Sequence, residues 1–187
     1  IYSKKILDTI NELGILENSI IVFFSDHGTG IGERFGERNY GSFTYEETIR
    51  TFYHFIGKKI KENNSSNSLI SCIDILPTIL ELSEIEPPAD LPGKSFARFL
   101  TGDVSDLEKR DFTFSETGAL HGPHPSPEKS NVFCIKTPTH KLIYLKDIQE
   151  WRLYDLENDP MEIDNLSGKE LPIENTLKDK LLEWINR

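Results

Sequence analysis

Asp26-His27-Gly28 is the place in this sequence where residue types and spacing point to chemistry. A carboxylate and an imidazole on adjacent residues can share one divalent cation. The aspartate oxygen is a hard anionic ligand, and a neutral imidazole nitrogen suits zinc, manganese or iron better than magnesium. Glycine directly after the pair lets the backbone turn away without a Cβ clash. The competing reading is an Asx-type turn with a solvent-facing histidine. Two ligands do not close a metal site, so the remaining ligands must come from elsewhere.

The elements before the pair decide where it sits. Ile20 to Phe24 is β-branched and aromatic throughout, and it reads as a strand buried on both faces, as in a parallel sheet. Ahead of it, Ile6, Leu7, Ile10, Leu13 and Ile15 recur at helical spacing, predicting an amphipathic helix over 4–15 that closes near Gly14. Helix, short turn and buried strand make half of an α/β repeat. In open α/β sheets the ligand crevice lies beyond the carboxyl ends of the strands, where Asp26 and His27 fall. Gly28, Gly30, Gly32, Gly36 and Gly41 make the following stretch a loop.

Further along, residues 45–56 regain apolar character, and Lys58 to Asn67 reads as a charged, Asn/Ser-rich surface loop. Ser71 to Leu82 reads as a helix with Pro77 near its first turn and Ser71 or Asp74 as its cap. Pro87 to Gly93 is an extended linker, and Phe96 to Leu100 a short helix ending before Gly102. From Phe112 the texture changes. The stretches 112–116, 131–135, 141–145 and 151–155 predict short strands in an antiparallel sheet, with Leu177 to Ile185 as a terminal helix packed on it. The fold class is therefore α/β, with a boundary near 101–110: residues 1–105 form one part and residues 106–187 a small α+β subdomain.

The 187 residues suffice for one domain with a small appendage. Lys+Arg number 21 and Asp+Glu 31, a net charge of −10. That balance argues against sequence-independent nucleic-acid binding and against docking on an anionic membrane. An anionic substrate is still allowed, because a bound metal inverts the local field. No apolar run approaches the ~20 residues of a membrane-spanning helix. Cys72 and Cys134 form no C-x-x-C pair and read as buried free thiols. His54 and His140 read as packing residues. Asn63-Asn64-Ser65-Ser66 holds glycosylation acceptor patterns that matter only in a secreted parent. The chain opens on Ile1, which predicts a piece of something longer. Few cysteines and no visible export signal lean towards the cytoplasm.

Taken together, several ordered stretches resemble the sulfatase family of the alkaline-phosphatase-like superfamily. They are Ile15 to Gly28, Gly32-Glu33-Arg34, Tyr45 to Arg50, Ile73 to Leu80, Leu91 to Phe96, Lys141 to Tyr144, and Leu153 to Pro160 with Asn165-Leu166. The resemblance implies the alkaline-phosphatase-like mixed sheet with flanking helices, followed by the smaller antiparallel sheet. It also implies that Asp26 and His27 complete a divalent metal site, usually calcium, with manganese, magnesium or zinc as alternatives. The other carboxylates, and a nucleophile oxidised to formylglycine within Cys/Ser-x-Pro/Ala-x-Arg, belong to the family's N-terminal half. Neither cysteine here fits that motif. The chain thus resembles the second half of a sulfatase, contributing no nucleophile and inactive alone.

One departure concerns the anion. Relatives with the Asp-His form carry a lysine after the Gly-Glu-His/Arg turn. The ungapped position here is Asn39, with Arg38 beside it, and a guanidinium fork there suits a tetrahedral oxyanion. His121 and His124 on a proline-rich loop, and Glu116 at a strand end, are further candidates for a sulfate ester substrate. Two other readings share these motifs: a metal-dependent phosphoester or phosphonate hydrolase or phosphoglycerol transferase, and a catalytically silent binding module. The Ile20–Phe24 strand predicts an exposed sheet edge and self-association of the isolated chain.

Overall fold

A computed structural model of the chain describes residues 2–34, 43–118 and 129–187. In chain order its elements are α1 (Tyr2–Glu12), β1 (Ile20–Phe24), α2 (Glu46–Ile49), β2 (Tyr53–Gly57), α3 (Ile75–Leu82), α4 (Ala97–Thr101), β3 (Thr113–Thr117), β4 (Val132–Lys136), β5 (His140–Leu145), β6 (Glu150–Asp155) and α5 (Pro172–Ile185). They form two compact units, Ile1–Ser25 with Phe52–Lys109, and Asp26–Thr51 with Arg110–Arg187. The architecture is the mixed α/β class with an antiparallel sheet and terminal helix. The stretch 45–56, which showed only apolar character in sequence, supplies α2 and β2.

In the first unit, α1 ends where Gly14 takes a φ of +66°, a conformation glycine adopts without strain. β1 pairs antiparallel with β2, from Ile20 opposite Gly57 to Phe24 opposite Tyr53. This differs from the doubly buried parallel strand that the apolar run suggests. Among the described residues β1 has one strand neighbour, and a two-stranded ribbon covers one face. Ile20, Val22 and Phe55 pack against Leu82, Phe96 and Ala97, while the β1 end at Phe24 is 51% exposed. His54 alternates away from Phe55 and is exposed, not a packing residue.

The α3 entrance is built around a buried carboxylate. Asp74 accepts the Ser71 N–H at 2.7 Å and the Lys94 N–H at 2.8 Å. A Cβ on Gly93 would lie 2.0 Å from the Ile73 carbonyl oxygen, so only glycine fits. Turning Asp74 inward turns its predecessors outward. Cys72 is therefore exposed rather than buried, with the Tyr53 hydroxyl donating to its sulfur at 3.2 Å.

In the second unit, β3, β4, β5 and β6 lie in sequential antiparallel order. Side chains alternate across this sheet with period two. One face carries Phe133, Ile135, Leu142, Tyr144 and Leu153 and is covered by Leu177 and Leu181 of α5. At the helix end, the Phe114 and Trp184 rings stack at 4.9 Å. The other face carries Val132, Cys134, Ile143, Leu145 and Tyr154 and is covered by Phe43, Tyr45 and Ile49. α5 starts on Pro172, whose missing N–H costs nothing at a helix start. Leu181 has no exposure. Leu181→Ala is expected to lower unfolding free energy by about 2–5 kcal/mol, read as a lower urea midpoint at unchanged slope.

Candidate metal centre

Asp26, His27 and Gly28 follow β1 with only Ser25 between. The His27 N–H donates to Asp26 Oδ1 at 2.9 Å. The His27 Nδ1 lies against the Gly28 carbonyl oxygen. A carbonyl can only accept, so Nδ1 donates a proton to it, and Nε2 is the ring nitrogen left to act as a cation donor. Nε2 stands 3.7 Å from Asp26 Oδ2. Two donors at a right angle around one calcium-sized ion are about 3.4–3.7 Å apart when each lies about 2.4–2.6 Å from it. The spacing thus fits one shared divalent cation, with an oxygen donor that suits a hard ion and a nitrogen donor that suits zinc, manganese or iron. Asp26 is 82% exposed at its side chain and His27 33%. Among the described residues no cluster of three or more His, Cys, Asp and Glu could hold a metal, so Asp26 and His27 stand as a pair and not as a closed cage.

Gly28 pins the pair. Its N–H donates to the Thr48 carbonyl at 2.8 Å. A Cβ there would sit 2.2 Å from the Glu47 carbonyl oxygen. α2 and the loop therefore touch backbone to backbone, which only glycine permits.

α2 is in turn held by charges that the sequence reading did not single out. Lys141 of β5 is fully buried, and its Nζ lies 2.7 Å from both Glu46 Oε1 and Glu162 Oε1. Lys136 reaches Glu46 at 2.8 Å. Glu162 Oε2 accepts the Glu46 N–H at 2.7 Å. Arg34 donates to both Glu47 oxygens at 2.7 and 3.2 Å, and to the carbonyls of Glu162 and Met161 at 2.6 and 2.7 Å. Its guanidinium also covers the Tyr45 ring at 4.0 Å. Period-two alternation was the signal available. Lys141 shares a strand face with Ile143 and Leu145, and a lysine on a buried face demands carboxylates.

Electrostatics follow from burial and partners. Burial pushes the Glu46 and Glu47 carboxyls up, but Lys141 with Lys136, and Arg34, outweigh it and hold both below the ordinary value. Glu162 is raised, because burial outweighs Lys141. Burial pushes the Cys134 thiol up to about 12, so it stays protonated and inert.

Of the other residues singled out in sequence, Arg38, Asn39, His121 and His124 lie outside the described residues. Glu116 is exposed on β3. His140 is half-buried, its Nδ1 2.9 Å from the Thr139 hydroxyl.

Residues 36–187 match the family described as N-sulphoglucosamine sulphohydrolase, C-terminal, and the chain belongs to that family. An N-acetylglucosamine-6-O-sulfatase from Bacteroides thetaiotaomicron is 31% identical over 175 residues, which cover 88% of this chain and 29% of that protein. Arylsulfatase K from Bos taurus is 28% identical, covering 97% of this chain and 34% of its own length. The solved structure of BT4656 in complex with its substrate D-glucosamine-2-N,6-O-disulfate superposes with a TM-score of 0.80 at 28% identity, covering 96% of this chain and 36% of that one. The chain therefore spans about a third of the length of the relatives it matches.

Gly28→Ala must displace the loop from the Glu47 carbonyl. It is expected to cost about 1–3 kcal/mol in chemical denaturation. Glu46 and Glu47 have folded values below their unfolded ones, so their stabilisation is complete above the ordinary carboxylate range and lost as pH falls through the folded values. Glu162 has the opposite sign, its contribution being lost as pH rises. Glu84, Asp106, Asp155 and Glu174 are held low by their partners as well, so with Glu162 alone opposed the denaturation midpoint is expected to fall between about pH 5 and pH 3. Glu47→Gln is expected to make that fall shallower.

Proposed function

We propose that these residues form the C-terminal part of a sulfatase, a hydrolase of sulfate esters, and that Asp26 and His27 supply two ligands to its divalent cation, calcium. The observation that carries the reading is the Asp26–His27 geometry, with Nε2 and Oδ2 3.7 Å apart, in a chain of this family. A phosphonate monoester hydrolase from Silicibacter pomeroyi shares the fold at 20% identity and a TM-score of 0.76. Fold alone therefore does not choose sulfur over phosphorus, and the family match supports sulfate. The relatives' named substrate and activity support a sulfated amino sugar as the ester.

The bound cation would withdraw charge from the ester's oxygens and lower the pKa of the attacking hydroxyl. Asp26 contributes the anionic oxygen. His27 contributes Nε2 because its other nitrogen is committed to the Gly28 carbonyl, which fixes tautomer and ring together. The nucleophile, the formylglycine that the family resemblance implies, comes from outside these residues. Cys134 is a buried protonated thiol, and Cys72 lies outside any Cys-x-Pro/Ala-x-Arg motif. The exposed end of β1 at Phe24 supports self-association of the isolated chain through that edge.

Isothermal titration of the full-length protein with calcium chloride and manganese chloride tests the ligand assignment. Asp26→Ala and His27→Ala are each expected to weaken calcium binding by at least about tenfold and to abolish sulfate ester turnover. Unchanged affinity in Asp26→Ala rejects the assignment. The 187-residue chain alone is expected to turn over no aryl sulfate and to scatter light as an oligomer; a monomeric, active chain contradicts both.

A further inference from the structure

We infer that the buried cluster of Lys141, Glu46 and Glu162 is the positioning device of the Asp26–His27 pair, setting where the two ligands stand by fixing the α2 turn that holds Gly28. The inference rests on the metal-site reading above and adds residues to it that touch neither cation nor ester.

The contacts involved all lie in one compact unit. Lys141 projects from the sheet face covered by Phe43, Tyr45 and Ile49. Apolar packing on that face is non-directional and leaves the register of a single helical turn open. The charges close it. One ammonium lies 2.7 Å from two carboxylates, one on α2 and one in the loop after β6. The second carboxylate also takes the first backbone N–H of α2, at 2.7 Å. Arg34 then ties Glu47 to two carbonyls of that same loop. At the far end of the turn, Thr48 offers its carbonyl to Gly28 while its hydroxyl donates to the Tyr45 carbonyl at 2.9 Å. Each link is a hydrogen bond or ion pair, so the sheet sets the backbone position of Gly28. Asp26 and His27 are its two immediate predecessors.

A purely stabilising role is the alternative, and buried ion pairs are poor stabilisers. Replacing such a triad with apolar residues of similar size is often neutral or favourable, whereas removing one member strands the others. The test therefore replaces all three in the full-length protein, as Lys141→Met/Glu46→Leu/Glu162→Leu. Hydrogen–deuterium exchange is followed in the peptide spanning residues 26–30, without added metal, alongside calcium titration. The expected result is exchange at least about tenfold faster in that peptide, unchanged protection in β4 and β5, and calcium binding weakened by at least about tenfold. Unchanged exchange and affinity overturn the inference. Asp26→Ala on the same titration separates the two claims. If it loses calcium and the triple variant does not, the positioning role fails and the metal site stands. If Asp26→Ala binds calcium normally, the metal reading fails and the exchange result alone decides the positioning role. Should the triple variant not fold, Glu46→Gln keeps the side chain's shape and removes one carboxylate charge from the triad. It is expected to speed exchange in the same peptide several-fold, and unchanged exchange there overturns the inference.

Discussion

The ammonium of Lys141, held without solvent between Glu46 and Glu162, is the constraint on which the C-terminal unit is organised. A lone buried ammonium is prohibitively costly, so the chain must bring anions to it. It brings one from α2 and one from the loop after β6, and these are distant in sequence. Extending the count to Lys136, Arg34 and Glu47 gives three cations and three anions. The cluster is neutral as a whole and charged in every part. No single member can be lost without stranding a charge, and the arrangement is all-or-none in a way that leucine contacts are not.

The same local device appears in each unit. A buried carboxylate takes backbone N–H groups at a helix start, and a nearby glycine lies against a carbonyl where no Cβ could stand. In the first unit these are Asp74 at α3 and Gly93 against Ile73. In the second they are Glu162 at α2 and Gly28 against Glu47. Both devices fix irregular backbone, which has no ladder of its own to hold it. The second fixes the residue next to the proposed ligands. That explains why so short a helix as α2 carries so many polar contacts.

Much of this was legible in sequence, and the physical reasons are specific. The four late strands and the terminal helix declared themselves by period and by turn residues, because each spends one face on a core. Asp26 and His27 stood out because two metal-ligand types sat beside a glycine after an apolar run. Other features were illegible for reasons of geometry. α2 is a single turn, too short to show a period. The pairing of β1 with β2 depends on a partner about 30 residues away, beyond any local pattern. Cys72 points outward because Asp74 points inward, which composition does not encode. Lys141 was within reach: it lies in register with Ile143 and Leu145, and reading that face as buried would have required acidic partners from elsewhere in the chain.

The unequal exposure of the two proposed ligands bears on why the pair needs more than these residues to work. His27 is largely sheltered and its ring is set by the Gly28 carbonyl, so ring orientation costs nothing further on binding. Asp26 is 82% exposed at its side chain. Two donors fall short of the six or more oxygens that a calcium-type ion prefers. Added anionic ligands must close the sphere and exclude water before the cation polarises anything strongly. Cys134 cannot serve, since its thiol is buried and stays protonated. On the proposed reading, what this chain provides is placement: an Asp-His pair whose spacing is set from a rigid sheet, prepared for donors that the described residues do not contain.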